Sequence, residues 1–340
     1  VCCRQDDWEF GGWGGRILQC GVRMMTILVT GGGGFIGSFV VEELVSRAYD
    51  VVVPTRDSRN RWRATENDRL LRVEGNLSET RFQKRLFREY HPEVLIHCAW
   101  MGVGRGHRDD PIQEANLSLT GNLLDLCVEN EVSLFIGLGS QAEYGIHNCR
   151  IDEIAVTSPE TAYGRFKLRA GRSGLELAEK AGIDYAWLRL FSAFGPRDSN
   201  ECLIPYVIRS LLGGVSPELT TCRQRWDYLY VKDVAKLIAE IVDKEQPFRG
   251  IYNLCSGVPR ELRDLVLTVK DILGTQLEPR FGAIPQRKDG LFHLEGDNGK
   301  FKETFGWIEM TDINEALAET IEWFRGSFSM GEREPTSRGT

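Results

Sequence analysis

The chain has 340 residues, 42% hydrophobic and 27% charged, the composition of an ordinary globular protein of one large or two modest domains. A formal net charge of -7 argues against a nucleic-acid or membrane-surface role, yet leaves room for a local basic pocket that takes an anionic small molecule. No apolar run approaches the roughly 20 residues that a bilayer span needs. The nine cysteines include no Cys-x-x-Cys spacing, so no metal site is expected. Cys98 and Cys127 sit in apolar surroundings as small core residues, and a reducing cytoplasm fits.

Residues 1–24 show no periodicity and lack the apolar core of a signal peptide. They read as a disordered extension or expression artefact before a start near Met24 or Met25. From there strands and helices alternate. Apolar runs at 26–29, 51–53, 70–73, 94–97, 133–138 and 185–190 predict strands, and helical spacing predicts helices at 35–47, 79–90, 112–130 and 161–181. The uncharged run at 94–97 suits a sheet covered on both faces. This rhythm implies an α/β fold with a doubly wound parallel sheet. Beyond Gly195-Pro196 the rhythm breaks: helices are expected near 203–212, 234–242, 262–273 and 313–324, with strands at 228–231 and 251–254. The expected division is a dinucleotide-binding domain at 25–195, a smaller C-terminal α/β substrate domain at 196–326 with 227–255 partly returning to the first, and a loose tail at 327–340.

Thr30-Gly31-Gly32-Gly33-Gly34-Phe35-Ile36-Gly37 links the first strand to the first helix. Gly31, Gly34 and Gly37 make a tight turn that lets a pyrophosphate sit on the helix N-terminus, where free N–H groups and the helix dipole favour anions. The end of the second strand separates NAD from NADP: an acid bonds the ribose 2′-OH, whereas arginine takes the 2′-phosphate. Thr55 stands where the acid is expected and Arg56 follows, with Arg59, Arg61 and Arg63 beyond, so NADP(H) is favoured. NAD(H) stays possible through Asp57.

Tyr163 and Lys167 lie at i, i+4 and project from one helix face. An ammonium beside a phenol favours the phenolate and lowers its pKa, giving a proton donor or acceptor for a carbonyl/alcohol pair. Tyr-x-x-x-Lys also arises by chance on amphipathic helices. Ser140, in Gly139-Ser140-Gln141-Ala142-Glu143-Tyr144-Gly145 just after the fifth predicted strand, is placed to donate to the same substrate oxygen. A lone serine there also reads as a helix cap or turn.

Together these segments resemble the extended short-chain dehydrogenase/reductase family, and within it the nucleotide-sugar epimerases, dehydratases and 4-ketoreductases. The resemblance covers about 25–326. It rests on TGGGGFIG at 30–37, HCA at 97–99, N-x-x-x-x-x-NLL at 116–124, GSQAEYG at 139–145, YGRFK at 163–167, FGPRD at 194–198 and YLYVKDVA at 228–235. It implies a Rossmann fold in which Tyr163 is the acid/base. Lys167 lowers the Tyr163 pKa and holds the nicotinamide ribose, and Ser140 orients the sugar hydroxyl or ketone. The implied cofactor contacts are Gly31, Gly34, Phe35, Ile36, Gly37, Thr55, Arg56, Asn76, Leu77, Cys98, Ala99, Trp100, Tyr163 and Lys167. The implied substrate contacts are Asn116, Gln141, Ser192 and Leu203, with Arg223, Arg225 and Arg287 as candidates for the diphosphate. A cytoplasmic homodimer paired through the helices at 112–130 and 161–181 is also implied.

Three departures narrow the chemistry. Dehydratases of this family carry an Asp-Glu pair after the hydroxyl residue; here Gln141 and Ala142 stand there, and neither does acid/base work. Asn76 replaces the usual Asp near adenine, and Ser192 replaces an Asn near the sugar diphosphate. Arg225-Trp226-Asp227, with its extra Trp226, resembles 4-ketoreductases. The expected activity is NADPH-dependent reduction of the C4 ketone of a nucleoside-diphosphate-4-keto-6-deoxyhexose. The alternatives are a nucleotide-sugar 4-epimerase with tightly held NAD, or a non-catalytic dinucleotide-binding regulatory protein.

Overall fold

The computed structural model describes residues 25–56, 67–286 and 290–329. The first half of the chain forms β1 (Thr26–Thr30), α1 (Phe35–Ser46), β2 (Asp50–Thr55), β3 (Leu70–Glu74), α2 (Thr80–Tyr90), β4 (Val94–His97), α3 (Ile112–Glu129), β5 (Leu134–Ser140), β6 (Arg150–Ile151) and α4 (Ala162–Ala181). The second half adds β7 (Asp184–Leu190), β8 (Ser192–Phe194), α5 (Leu203–Leu212), β9 (Glu218–Leu219), β10 (Arg225–Tyr230), α6 (Val231–Val242) and β11 (Arg249–Leu254). It closes with β12 (Pro259–Glu261), α7 (Leu262–Leu273), β13 (Arg280–Phe281), β14 (His293–Gly296), α8 (Gly299–Phe305) and α9 (Ile313–Ser329).

Seven strands, all parallel, form the main sheet in the order β11-β7-β5-β4-β1-β2-β3. Strand order reverses between β1 and β4, the place where a doubly wound sheet opens a crevice at its carboxyl edge. The central residues of β1, β2 and β4 read as unbroken apolar runs because helices cover both faces. Ile27, Val29, Ile96 and Ile136 pack on one side, and Leu28, Leu95, Phe135 and Trp187 on the other.

A second sheet runs β12-β10-β14-β6, with β8 also pairing β10. Residues 249–254 thus return to the main sheet, while β6 and β8 leave the N-terminal part of the chain to join the second. The carboxylate of Asp227 knits this crossing. It is buried, and accepts hydrogen bonds from the Ser256 amide (2.9 Å) and hydroxyl (2.6 Å), the Gly257 amide (3.0 Å) and the Gly296 amide (3.1 Å). On the outer face α1 and α6 are clamped by Arg47, which pairs with Glu43 and Glu240 (both 2.8 Å) and Asp243 (2.5 Å).

The predicted elements at 94–97, 203–212 and 262–273 match the structure residue for residue. Other elements differ at their ends by one to five residues. Val231 opens α6 rather than closing a strand, and β10 begins three residues earlier than expected, taking in Arg225 and Trp226. β5 extends through Ser140, so the hydroxyl residue is the last of its strand rather than part of the following loop. Among the described residues no helix is long and apolar enough to cross a membrane. The expectations for residues 1–24, Asp57, Arg59, Arg61, Arg63, Arg287 and 330–340 lie outside the described residues.

Candidate active site

A cavity of about 560 Å³ opens at the carboxyl ends of β1, β2, β3 and β4. Its floor is the glycine turn. Gly31 has φ +71°, and a Cβ there would lie 2.6 Å from the Ala99 nitrogen; a Cβ on Gly37 would lie 2.2 Å from the Gly31 carbonyl oxygen. The turn therefore nests against the end of β4 only because side chains are absent. The Gly34 amide donates to the Gly31 carbonyl (2.9 Å), and α1 begins at the next residue. Val53, Thr55, Arg56, Leu70, Arg72, Gly75, Asn76, Leu77, Ser78, Ala99, Trp100, Met101, Asn116 and Leu119 are among the other residues of the wall.

Of the expected cofactor residues, Gly31, Gly34, Thr55, Arg56, Asn76, Leu77, Ala99 and Trp100 line this cavity, whereas Phe35, Ile36, Gly37, Cys98, Tyr163 and Lys167 do not. Gly37 packs beneath the turn, and burial pushes the Cys98 thiol up to about 12. Arg72 and Ser78 were not expected. Arg72 is the third residue of β3 and pairs in register with Val53 of β2; its distance in sequence from the glycine turn hid it.

Beyond Trp100 lies the cluster at the end of β5 and the start of α4. The Thr161 hydroxyl caps α4 by accepting from the Gly164 amide (3.2 Å). Gly164 has no room for a side chain: a Cβ would lie 2.4 Å from the Ala142 carbonyl oxygen. α4 can therefore press its first turn against residues 141–143, which brings Tyr163 to Ser140. The Ser140 hydroxyl favours the Tyr163 phenolate, and the Ser140 oxygen accepts from the Ala142 amide (3.2 Å). Ser140 is thus both the cap of this short turn and the partner of Tyr163. Glu143 completes a capping box, accepting from the Ser140 amide (2.8 Å).

Glu143 is fully buried. Its carboxylate meets Arg189 (2.8 Å) and accepts from the Trp187 indole (2.9 Å). It is a structural ion that fixes the end of β5, not an acid facing the cavity. The spacing Ser140-x-x-Glu143 was the sequence signal for this role; its partner Arg189, on another strand, had none.

The electrostatics of Tyr163 differ from expectation. Its pKa is raised, because burial of the phenol outweighs the Ser140 hydrogen bond and the Arg108 charge that favour the phenolate. Lys167 is also buried. Its ammonium donates to the Leu138 carbonyl and lies 3.7 Å from the centre of the Trp100 ring, but 5.9 Å from that of Tyr163. Burial lowers its pKa from 10.5 to about 7, with Glu143 and Cys98 opposing. The expected depression of the phenol pKa is outweighed by burial: the lysine sits between a carbonyl and an indole face, and the cation nearer the phenol is Arg108, its guanidinium carbon 5.1 Å from the ring centre. His97 below is kept neutral by burial, its pKa lowered to about 3, between Thr30 (2.8 Å) and Thr120 (3.1 Å).

The expected substrate residues are spread more widely. Asn116 is buried with its amide turned to the Met101 backbone, accepting from its N–H (2.8 Å) and donating to its C=O (2.9 Å). It shapes the wall between Trp100 and α3. Gln141 is half-buried beside Ser140. Ser192 accepts from the Trp226 indole at 2.6 Å, so two departures from the family pattern are one contact. Leu203 opens α5. Arg223 and Arg225 are exposed, and Arg225 donates to the Pro259 carbonyl (2.9 Å).

A glycine cradle at the switch point, joined through Trp100 to a Ser-Tyr-Lys set, defines an extended short-chain dehydrogenase/reductase. The chain belongs to the NAD-dependent epimerase/dehydratase family, whose model matches residues 27–255. Its relatives include the dTDP-6-deoxy-L-talose 4-dehydrogenase (NAD(+)) of Aggregatibacter actinomycetemcomitans, 25% identical over 267 residues, or 77% of this chain and 96% of that protein. Similar solved structures include a UDP-glucose 4-epimerase from Thermotoga maritima with UDP-glucose, 25% identical, covering 89% of this chain and 100% of the other with a TM-score of 0.79. The UDP-glucose 4-epimerase of Thermus thermophilus with NAD is also 25% identical, with the same 89% and 100% coverage and a TM-score of 0.77.

Proposed function

We propose that the protein reduces the C4 ketone of a nucleoside-diphosphate-4-keto-6-deoxyhexose with NADPH. The observation that carries this reading is the wall at the end of β2 and β3, where Thr55, Arg56 and Arg72 line the cavity and no carboxylate takes the position of Thr55. That wall favours a 2′-phosphate over a bare ribose 2′-OH. The glycine cradle would hold the dinucleotide, with Asn76 and Leu77 for its adenine end and Ala99 and Trp100 for its nicotinamide end. When bound, it supplies the hydride. Tyr163 gives its proton to the C4 oxygen, and Ser140 donates to the same oxygen and holds it in place. Lys167, one helical turn beyond Tyr163, would hold the nicotinamide ribose. Gln141 and Ala142 offer no acid/base pair, and Glu143 is bound to Arg189; both points speak against dehydration. The sugar nucleotide would rest on the second sheet beside the Ser192–Trp226 contact, with Arg223, Arg225 and Arg287 as candidate grips for its diphosphate. A cytoplasmic homodimer paired through α3 and α4 completes the reading.

The likeness to two 4-epimerases favours a second reading, in which the same residues first oxidise and then re-reduce C4 with a retained NAD. Cofactor turnover separates them. Mixing the purified protein with NADPH and a panel of UDP-, dTDP-, GDP- and CDP-linked 4-keto-6-deoxyhexoses is expected to consume NADPH in step with one of them, and Tyr163→Phe to lose this turnover by about 10²–10⁴-fold. No net consumption with any of the panel sinks the reductase reading.

A further inference from the structure

The segment between β4 and α3 folds back over Tyr163 and is tied down along its length. The Gln113 side chain donates to the carbonyls of Gly102 (2.8 Å) and His107 (3.0 Å). Asp109 accepts from the Ala162 amide (2.7 Å), and the Arg108 carbonyl accepts from the Tyr163 amide (2.7 Å). The backbone that carries Arg108 is therefore bonded to the first turn of the helix that carries Tyr163. The Arg108 side chain donates from Nε to the Val103 carbonyl (3.3 Å) and sets its guanidinium 5.1 Å from the centre of the phenol ring.

We infer that Arg108 is a positioning residue for proton transfer: it lies over the phenol of Tyr163 and stabilises its phenolate. A guanidinium keeps its charge throughout the working pH range, unlike a lysine buried in this way. It also interacts favourably with the face of an aromatic ring, and more strongly once that ring carries negative charge. The other groups facing the phenol are the Ser140 hydroxyl on β5, the Glu143 carboxylate, which opposes ionisation, and the Trp100 ring, edge-on at 6.2 Å. The Lys167 ammonium is farther off, 5.9 Å from the ring centre. Burial and Glu143 raise the phenol pKa, and Ser140 and Arg108 bring it back toward a usable value.

This inference rests on Tyr163 being the acid/base, and its test reads the two separately. Tyrosinate absorbance is titrated as the difference between the wild type and Tyr163→Phe, and again with both proteins carrying Arg108→Gln. The Tyr163 midpoint is expected to rise by about one pH unit, a tenfold gain in proton affinity, with Arg108→Lys in between. In turnover, Arg108→Gln should lower kcat for oxidation of the sugar alcohol by about tenfold near neutral pH and leave KM nearly unchanged. It should also move the alkaline limb of ketone reduction to higher pH. Coincident midpoints overturn the inference, as does a raised KM with an unmoved pH profile, which would make Arg108 a substrate grip. An active Tyr163→Phe overturns the reaction reading instead, while the titration still measures the pair.

Discussion

Arg189 meets Glu143 at 2.8 Å in the interior, and both side chains are almost wholly buried. The pair lies directly beneath the reacting end of the site, because the other carboxylate oxygen holds the Ser140 amide and the Trp187 indole. Removing one partner strands the other charge. Glu143→Gln is expected to cost about 3–5 kcal/mol of stability, read as a lower urea midpoint, and to reduce turnover because Ser140 loses its anchor. Replacing both residues with apolar ones of similar volume should recover much of the stability without the activity. Equal stability of Glu143→Gln and the wild type would show that the ion pair holds nothing in place.

Ser140 carries two separable roles. Ser140→Ala removes the cap on Ala142, a loss of about 1 kcal/mol, and removes the hydroxyl that favours the Tyr163 phenolate. Turnover is expected to fall far more than stability does, by about 10²-fold or more in kcat. Ser140→Thr, which keeps an oxygen in the same place, should restore most of the stability and part of the rate. Stopped-flow measurement of the hydride step alongside thermal melts separates the two. A rate loss that merely follows the loss of folded protein would reduce Ser140 to a cap.

Much of this was legible in the chain. Parallel strands buried on both faces must be apolar throughout, so β1, β4 and β5 stand out, and the glycine turn and Tyr163-x-x-x-Lys167 need only local spacing. What was not legible depends on residues distant in sequence. Arg108 reaches Tyr163 because a loop folds back onto α4, and Arg189 reaches Glu143 from the neighbouring strand. Ser192 and Trp226 were each noticed as departures, but only the pairing of β8 with β10 makes them one contact. The boundary at Val231 differs because Val231 continues the apolar run Tyr228-Leu229-Tyr230, and the charged Lys232 and Asp233 follow only after it. The pKa direction at Tyr163 was misjudged because spacing fixes which side chains share a face, not how deeply they are buried.

The glycine turn offers a contrast between neighbours. A Cβ on Gly37 would lie 2.2 Å from the Gly31 carbonyl oxygen, a backbone atom that cannot move aside without opening the turn, whereas a Cβ on Gly33 meets nothing within 4 Å. Gly37→Ala is expected to destabilise the protein by about 1–3 kcal/mol and to weaken dinucleotide binding. Gly33→Ala should leave stability nearly unchanged. Thermal melts with and without NADPH, together with fluorescence titration of the dinucleotide, test both. A Gly37→Ala protein that melts and binds like the wild type would mean that the turn tolerates an open form.

Lys167 makes stability depend on pH in a direction that can be worked out. Burial lowers its folded pKa from 10.5 to about 7. Between those values the unfolded chain holds a proton that the folded chain has released, so stability rises with pH across the window. Below about 7 both states are protonated and the full cost of burying the ammonium is present; above 10.5 both are neutral and the cost is gone. Lys167→Met removes the titration and the hydrogen bond to the Leu138 carbonyl, the second a loss that does not vary with pH. Relative to the wild type, the variant should therefore be at its most favourable near pH 6 and lose ground by about 1.4 kcal/mol for each pH unit climbed inside the window. Urea unfolding of both proteins at several pH values measures the difference directly. Parallel stability curves would show that the ammonium keeps its ordinary pKa and that Lys167 is better solvated than its surroundings imply.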